Sequence, residues 1–336
     1  MNPQTTQMLH DLVSRKIVPG VSYAMLHHGQ LQAETLGARQ LIPEKEPLIP
    51  GLYYDVASLT KVVGTTPVIL QLVETGQIGL DQEIKQLLPR FQDDKVTIRH
   101  LLTHTSAIGG YIPNRDQLDG PDLLTAIYQQ LHSGPLLGKK VVYSDINMIL
   151  LGQIIERFYK RPVQDVITSE VLKPLGLTES TFRPPRTECV PTEFDPQRGG
   201  LIQGSVHDPK AASLGKQCGS AGLFMTLNDL LKYCQWLLGQ FLPNTVLSEK
   251  TVLSLFADQT TLKNGGRSLG FDLRYTPQGT ACLYHTGFTG TFLLVDRKEQ
   301  DALAVLTNRI HPSAANLQFL KARDQLVLQY LREKGH

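Results

Sequence analysis

Strand-like runs sit at the two ends of this 336-residue chain and helical periodicity fills the middle, so any sheet has to be closed by segments far apart in sequence. Near the start, Val21 to His27 and Leu31 to Leu36 flank His28-Gly29, a pair suited to a tight hairpin turn between antiparallel strands. Comparable runs return only at Leu269 to Tyr275, Ala281 to His285, Thr291 to Val295 and Ala302 to Thr307. Terminal helices flank them. One opens at Asn2-Pro3 and carries an apolar stripe of Met8, Leu9, Leu12 and Val13; the other runs from about Asn316 to Lys334 with Leu317, Leu320, Val327 and Leu331 on one face. The intervening pattern predicts helices over Thr60 to Thr75, Ile98 to Thr103, Asp122 to Leu131, Asp145 to Phe158, Val163 to Leu172 and Asn228 to Leu238. Pro67 lies inside the first of these and predicts a kink shortly after Lys61.

The expected architecture is therefore α+β: an antiparallel sheet built from N- and C-terminal strands, flanked by terminal helices and interrupted by a mainly helical lobe. Residues 1–62 and 205–336 would form the sheet lobe, 63–204 the helical lobe, with an active site between them. Pro191 to Gly200 reads as the return crossing.

A formal charge of +2, from 33 basic and 31 acidic residues, gives no electrostatic reason to expect nucleic acid or an anionic membrane as partner. No apolar run approaches a membrane span, and Met1 to Thr6 lacks both the basic and the apolar region of a secretory signal, so a cytoplasmic location is expected. Cys189, Cys218, Cys234 and Cys282 are widely separated and form no C-x-x-C pair, which predicts free thiols. Neither a metal nor a cofactor is expected. His100 and His104 have zinc-helix spacing, but Leu101 stands where H-E-x-x-H needs glutamate, which favours a packed or capping role; dinucleotide and Walker loops are absent. A G-x-S-x-G elbow fails at Ser58 and at Ser220, where the first glycine is missing.

Ser58-Leu59-Thr60-Lys61 places a hydroxyl and an amine one helical turn apart, just after the strand-like run Tyr53 to Val56. A serine needs a base to lose its proton, and a partly desolvated lysine with a lowered pKa can serve. Ser213-Leu214-Gly215-Lys216 repeats the pattern, but among Pro209, Gly215 and Gly219 it reads as a loop. Downstream, Tyr143 stands at a helix start, which favours negative charge. His285-Thr286-Gly287-Phe288 ends a strand where backbone is open to a ligand, and the Phe288 N–H could join that of Ser58 as an oxyanion hole. Taken singly, Tyr143 is an ordinary amphipathic boundary residue and the His285 segment an ordinary hairpin.

Together, in this order, these motifs resemble the serine β-lactamase and penicillin-binding-protein superfamily, closest to the branch of class C β-lactamases, DD-peptidases and family VIII carboxylesterases. Val18 to Val21, Val96 to Ser106, Gly222 to Phe224 and Leu306 to Pro312 add to the resemblance. It implies a β-lactamase/transpeptidase-like fold in which Ser58 is acylated and either Lys61 or Tyr143 is the resting base. Tyr143 would then donate to the leaving group and activate the deacylating water, while His285, Thr286 and Gly287 line the edge strand. Two departures stand out. Asp145 replaces the asparagine of a Tyr-x-Asn motif, with Asn147 two residues on, and His285 replaces a lysine, giving a titratable in place of a fixed cation. Asn308 and Arg309 are candidates to meet a substrate carboxylate, with a solvated surface loop as the equal alternative. The expected activity is that of an esterase or peptidase on small acyl compounds, whether ester, D-amino-acid peptide or β-lactam. A DD-carboxypeptidase or penicillin-binding protein, then a β-lactamase, are the alternatives, and a non-catalytic acyl-peptide or penicillin sensor is the reading from another class.

Overall fold

The computed structural model describes residues 2–241, 246–262 and 264–333. An antiparallel seven-stranded sheet joins the two ends of the chain. From the N-terminal side come β1 (Gly20–His27), β2 (Gln30–Gln40) and the short β3 (Glu46–Pro47). From the C-terminal side come β11 (Asp272–Tyr275), β12 (Ala281–Thr286), β13 (Phe292–Asp296) and β14 (Asp301–Thr307). Their order is β11-β12-β13-β14-β1-β2-β3, so closure is the β14–β1 pairing, with Val21 opposite Thr307 and Leu26 opposite Ala302. A smaller sheet of β4 (Tyr54–Asp55), β10 (Phe224–Met225) and β7 (Ser180–Thr181) braces the site, and two-residue ladders pair β5 (Ile108–Gly109) with β6 (His132–Ser133) and β8 (Phe194–Asp195) with β9 (Gly200–Leu201).

The large sheet is covered on both faces, which is why β13 and β14 read as continuous apolar runs instead of alternating ones. Val21, Tyr23, Met25, Phe292, Leu303 and Val305 point toward helices α1 (Pro3–Ser14) and α11 (Gln318–Glu333), packing on Leu9, Leu12, Phe319 and Tyr330. Leu26, Leu293, Val295, Ala304 and Leu306 point the other way, into a core shared with the intervening helices. Those helices are α2 (Thr66–Glu74), α3 (Ile84–Leu87), α4 (Ile98–Leu102), α5 (Gly120–Gln130), α6 (Asp145–Tyr159), α7 (Val163–Ile167), α8 (Pro209–Leu214), α9 (Leu227–Leu238) and α10 (Glu249–Ser254). The carboxylate of Glu333 accepts the N–H groups of Gln4 and Thr5, satisfying free donors at the start of α1 with a charge of the favourable sign. Lys334, the last residue of the predicted C-terminal helix, lies outside the described residues.

Three local departures from expectation have physical causes. The helix predicted over Thr60 to Thr75 is split into a π-turn at Lys61–Thr65 and α2, placing Pro67 in the first turn of α2, where a missing N–H costs least. Likewise Val163 to Leu172 divides into α7 and a π-turn at Thr168–Leu172. The stretch around Ser213, expected as loop, forms α8, because the Asp208 carboxylate accepts the Ala211 N–H as an N-cap ahead of Pro209. Lys216 there pairs with Asp165 at 3.3 Å. His100 forms a capping box with Thr97 at the start of α4. All four cysteines are buried thiols, and no helix among the described residues is long and apolar enough to cross a membrane.

Candidate functional site

Ser58 follows a turn that the surrounding chain holds from several sides. The buried Asp55 carboxylate accepts the N–H groups of Ala57 and His207, both at 2.8 Å, and Ala57 takes a left-handed φ of 46° that a residue with a Cβ seldom adopts unaided. From the other end of the chain, the Thr289 hydroxyl donates to the Asp55 carbonyl (2.7 Å) and the Thr291 hydroxyl to that of Val56 (3.1 Å). The hairpin after β12 is thus fastened to the turn that presents Ser58. Gly287 lies in that seam: a Cβ on it would stand 2.2 Å from Thr291 Oγ1 and 2.5 Å from the Val56 carbonyl oxygen. Gly287→Ala is expected to destabilise the protein by about 1–3 kcal/mol by overpacking. Gly109→Ala, where an added methyl meets open space, is expected to change stability by no more than about 0.5 kcal/mol. Urea denaturation of both variants checks the contrast, and equal midpoints would sink it.

Lys61 is fully buried, and its ammonium donates to Ser58 Oγ at 2.7 Å and to the Ser220 carbonyl at 2.8 Å while pairing with Asp145 Oδ1 at 2.8 Å. It also lies 5.4 Å from the centre of the Tyr143 ring. Burial alone would pull its pKa down, but the Tyr143 oxygen and the Asp145 carboxylate outweigh burial and hold it above the ordinary lysine range. The expectation of a lowered lysine pKa is therefore corrected. Tyr143 and Asp145 together set the sign.

Asp145 begins α6, with Ser144 as the N-cap. Its second oxygen, Oδ2, pairs with Lys210 at 3.2 Å, and Lys210 reaches Asp208 at 3.0 Å. Burial opposes ionisation of Asp145, yet the two ammonium groups prevail and bring its pKa down to about 2. Tyr143, half-exposed, rests against His104 (ring centres 4.4 Å apart) with His285 beyond it at 6.2 Å. Beside Ser144 opens a groove of about 580 Å³ lined by Ile108, Ile112, Leu131 and Ile146.

Several predicted site residues are placed differently from expectation. His285 is buried, and burial, with Arg267 and Lys61 nearby, drives its pKa well below the histidine range, so it is a neutral imidazole and not a titrating cation. Asn147 is also buried and faces inward: its amide nitrogen lies 2.9 Å from His104 Nδ1 and its oxygen accepts from Ser106 at 2.7 Å, which removes it from the substrate side. Asn308 ties β1 to β2, donating to the carbonyls of Ala38 and Arg39 and accepting the Gly20 N–H. Arg309 donates to the carbonyls of Phe288 and Asn316 and lies over the Phe288 ring at 4.7 Å. Both are buried with their donors spent on backbone carbonyls, which is not the placement of a solvated loop. Phe288 itself is exposed, stacked on His207 and adjoining Thr286 and Gly287 at the end of β12.

Sequence reasoning missed Ser220, whose part is played by a backbone carbonyl, and Lys210. The only signal for Lys210 was the helix start at Asp208-Pro209. His27, His28 and Asp301 bring ligand atoms within 4.8 Å of one another, but at the far end of the strands from His285.

Comparison with known proteins places this geometry in context. The profile of the family described as Beta-lactamase matches residues 6–326. An N-acetylmuramyl-L-alanine amidase of Bacillus subtilis (strain 168) is 28% identical over 306 residues, covering 77% of this chain and 68% of its own. A Salmonella typhi protein named "Putative D-alanyl-D-alanine carboxypeptidase" is 28% identical over 312 residues, covering 78% and 71%. Among solved structures, the octameric penicillin-binding protein homologue from Pyrococcus abyssi superposes with a TM-score of 0.76 at 19% identity, over 99% of this chain and 78% of that one. A class C beta-lactamase gives 0.76 at 19% identity, over 98% and 95%. At such identities the superpositions speak for the β-lactamase/transpeptidase-like fold alone.

Proposed function

The chain belongs to the Beta-lactamase family, and from that premise we propose that it is a serine hydrolase that turns over small esters and peptides through an acyl-enzyme on Ser58. In this reading the site lies between a sheet lobe of residues 1–62 and 205–336 and a helical lobe of residues 63–204. The observation that carries the proposal is the contact of 2.7 Å between Lys61 Nζ and Ser58 Oγ, made by an ammonium that Asp145 keeps charged.

A charged Lys61 cannot take the Ser58 proton. It orients Oγ by donating to it and compensates negative charge on its neighbours, which leaves Tyr143 as the base. Ser58 Oγ attacks the substrate carbonyl carbon as the Tyr143 oxygen, deprotonated in the attacking form, accepts the hydroxyl proton. The N–H groups of Ser58 and Phe288 receive the negative oxygen that results. Collapse breaks the bond to the alcohol or amine, which leaves with the proton from Tyr143. A water then attacks the acyl-enzyme, giving its proton to Tyr143, which passes that proton to Ser58 Oγ as the bond to the acyl carbon breaks and the acid departs. The groove beside Ser144 is proposed to take the acyl group, and Thr286 and Gly287 to line the strand edge along which it lies.

A neutral ester is favoured over a β-lactam or a peptide ending in a carboxylate. His285 is neutral, and Asn308 and Arg309 are turned inward, so none of the three offers the substrate a cation. The second reading, a D-Ala-D-Ala carboxypeptidase or penicillin-binding protein, is favoured by the name of the Salmonella relative. A β-lactamase ranks after it. A sensor that only binds acyl peptides has no use for the Ser58–Lys61–Asp145 chain.

The test mixes the protein separately with a nitrophenyl ester, a D-Ala-D-Ala peptide and a penicillin, follows turnover, and reads acid-quenched samples by intact-mass spectrometry and peptide mapping. Rapid ester hydrolysis with the acyl group on the peptide containing Ser58 is the expected result. An acyl label elsewhere would overturn the mechanism. A lasting penicilloyl adduct without ester turnover would move the assignment to a penicillin-binding protein.

A further inference from the structure

We infer that Lys210 is a positioning residue for acylation: from α8 it neutralises Asp145, so that the Lys61–Tyr143 pair faces no excess negative charge. The inference rests on the reading that Tyr143 accepts the Ser58 proton, and goes beyond it by assigning a part to a residue outside the Ser58, Lys61 and Tyr143 set.

Asp145 is gripped on opposite oxygens, Oδ1 by Lys61 at 2.8 Å and Oδ2 by Lys210 at 3.2 Å. Lys210 also meets Asp208 at 3.0 Å, and its side chain is only 14% exposed, so solvent screens these charges weakly. Lys61 and Lys210 balance Asp145 and Asp208, and the group of four is neutral. A carboxylate thus stands where a Tyr-x-Asn motif has an uncharged amide, without the charge that would oppose loss of the Tyr143 proton. The Asp208-Pro209 helix start places the ammonium: it caps α8 and aims Lys210, two residues on, at α6. The other ionisable groups around the network are few. Tyr143 faces Lys61, the neutral imidazoles of His104 and His285 flank the tyrosine ring, and the buried Arg267 adds positive charge near both histidines. On the Asp208 side lie the buried Asp55 carboxyl and Cys218 thiol, both of which burial and Asp208 push toward their neutral forms.

The sign of the expected effect follows from charge alone. Taking away one positive charge makes deprotonation of a neighbouring phenol harder, and taking away one negative charge makes it easier. Lys210→Met is therefore expected to move the acid limb of the kcat/KM–pH profile for a neutral ester upward by about one pH unit. Asp145→Asn should move it downward, and the double variant should return it close to the wild-type position. Lys210→Arg, which keeps the charge, should keep the limb. A purely structural Lys210 would lower the thermal midpoint and kcat but leave the limb in place, and that outcome overturns the inference. If Lys210→Met does not fold, the step from Asp145→Asn to the double variant isolates the same charge, and an unmoved limb there is equally fatal. Peptide mapping of the acyl group separates the two claims: label missing from Ser58 defeats the hydrolase mechanism, whereas Ser58 labelling with an unmoved limb defeats Lys210 alone.

Discussion

Ser58→Ala is expected to lower kcat/KM for ester hydrolysis by at least about 10⁴-fold, with binding of the ester little changed. In serine hydrolases the nucleophile and its base act as a unit, and removing the hydroxyl leaves only orientation and oxyanion stabilisation to assist a water. The rest of the site stays assembled in this variant. Lys61 keeps the Ser220 carbonyl and Asp145, and the turn keeps its bonds from Asp55, Thr289 and Thr291. Folding stability should therefore change by no more than about 1 kcal/mol. Steady-state rates with freshly purified variant, alongside a urea titration, make the check. Retention of a tenth of wild-type activity would mean that Ser58 is not the nucleophile.

Lys61→Met carries the second large effect, about 10³-fold in kcat, because it removes both the donor that orients Ser58 and the charge that compensates Tyr143. It also has a consequence for stability that depends on pH. Asp145 is lowered from 3.8 to about 2 by Lys61 and Lys210 together, worth roughly 2 kcal/mol of folding free energy. Because the folded-state pKa is the lower one, that stability is present above about pH 4 and is lost as pH falls toward 2. The Lys61 ammonium has the opposite sign: its raised pKa contributes fully below the ordinary lysine value and is lost only at more alkaline pH. Urea midpoints between pH 6 and pH 3 should fall more steeply for wild type than for Lys61→Met or Asp145→Asn. Parallel curves would show that Asp145 is not held by these ammonium groups.

Much of this fold is legible before any coordinates. The terminal strands announce themselves because β13 and β14 are buried on both faces, and the His28-Gly29 turn sets the first hairpin. Ser58 and Lys61 stand out because the strand-like run before them and the later Tyr143 and His285 motifs supply context that Ser213 lacks. What escapes sequence reading is direction and charge. Periodicity places Asn147 on α6 but not the side to which its amide turns, and nothing local shows that Asn308 and Arg309 satisfy backbone groups. The charge of His285 is decided by burial, and that of Lys61 by Tyr143 and Asp145, far along the chain. Chain order does not give either of these.

The hydroxyls of Thr289 and Thr291 that grip the Ser58 turn lie beyond β12, so Ser58 emerges from the ribosome long before the residues that hold it in place. The helices between them fold on local contacts, whereas the β14–β1 closure spans nearly the whole chain and belongs to the slow, late events of folding. Site geometry is in this way tied to completion: Ser58 gains its full set of supports when the hairpin after β12 docks, and an unfinished chain carries the serine and the lysine without them.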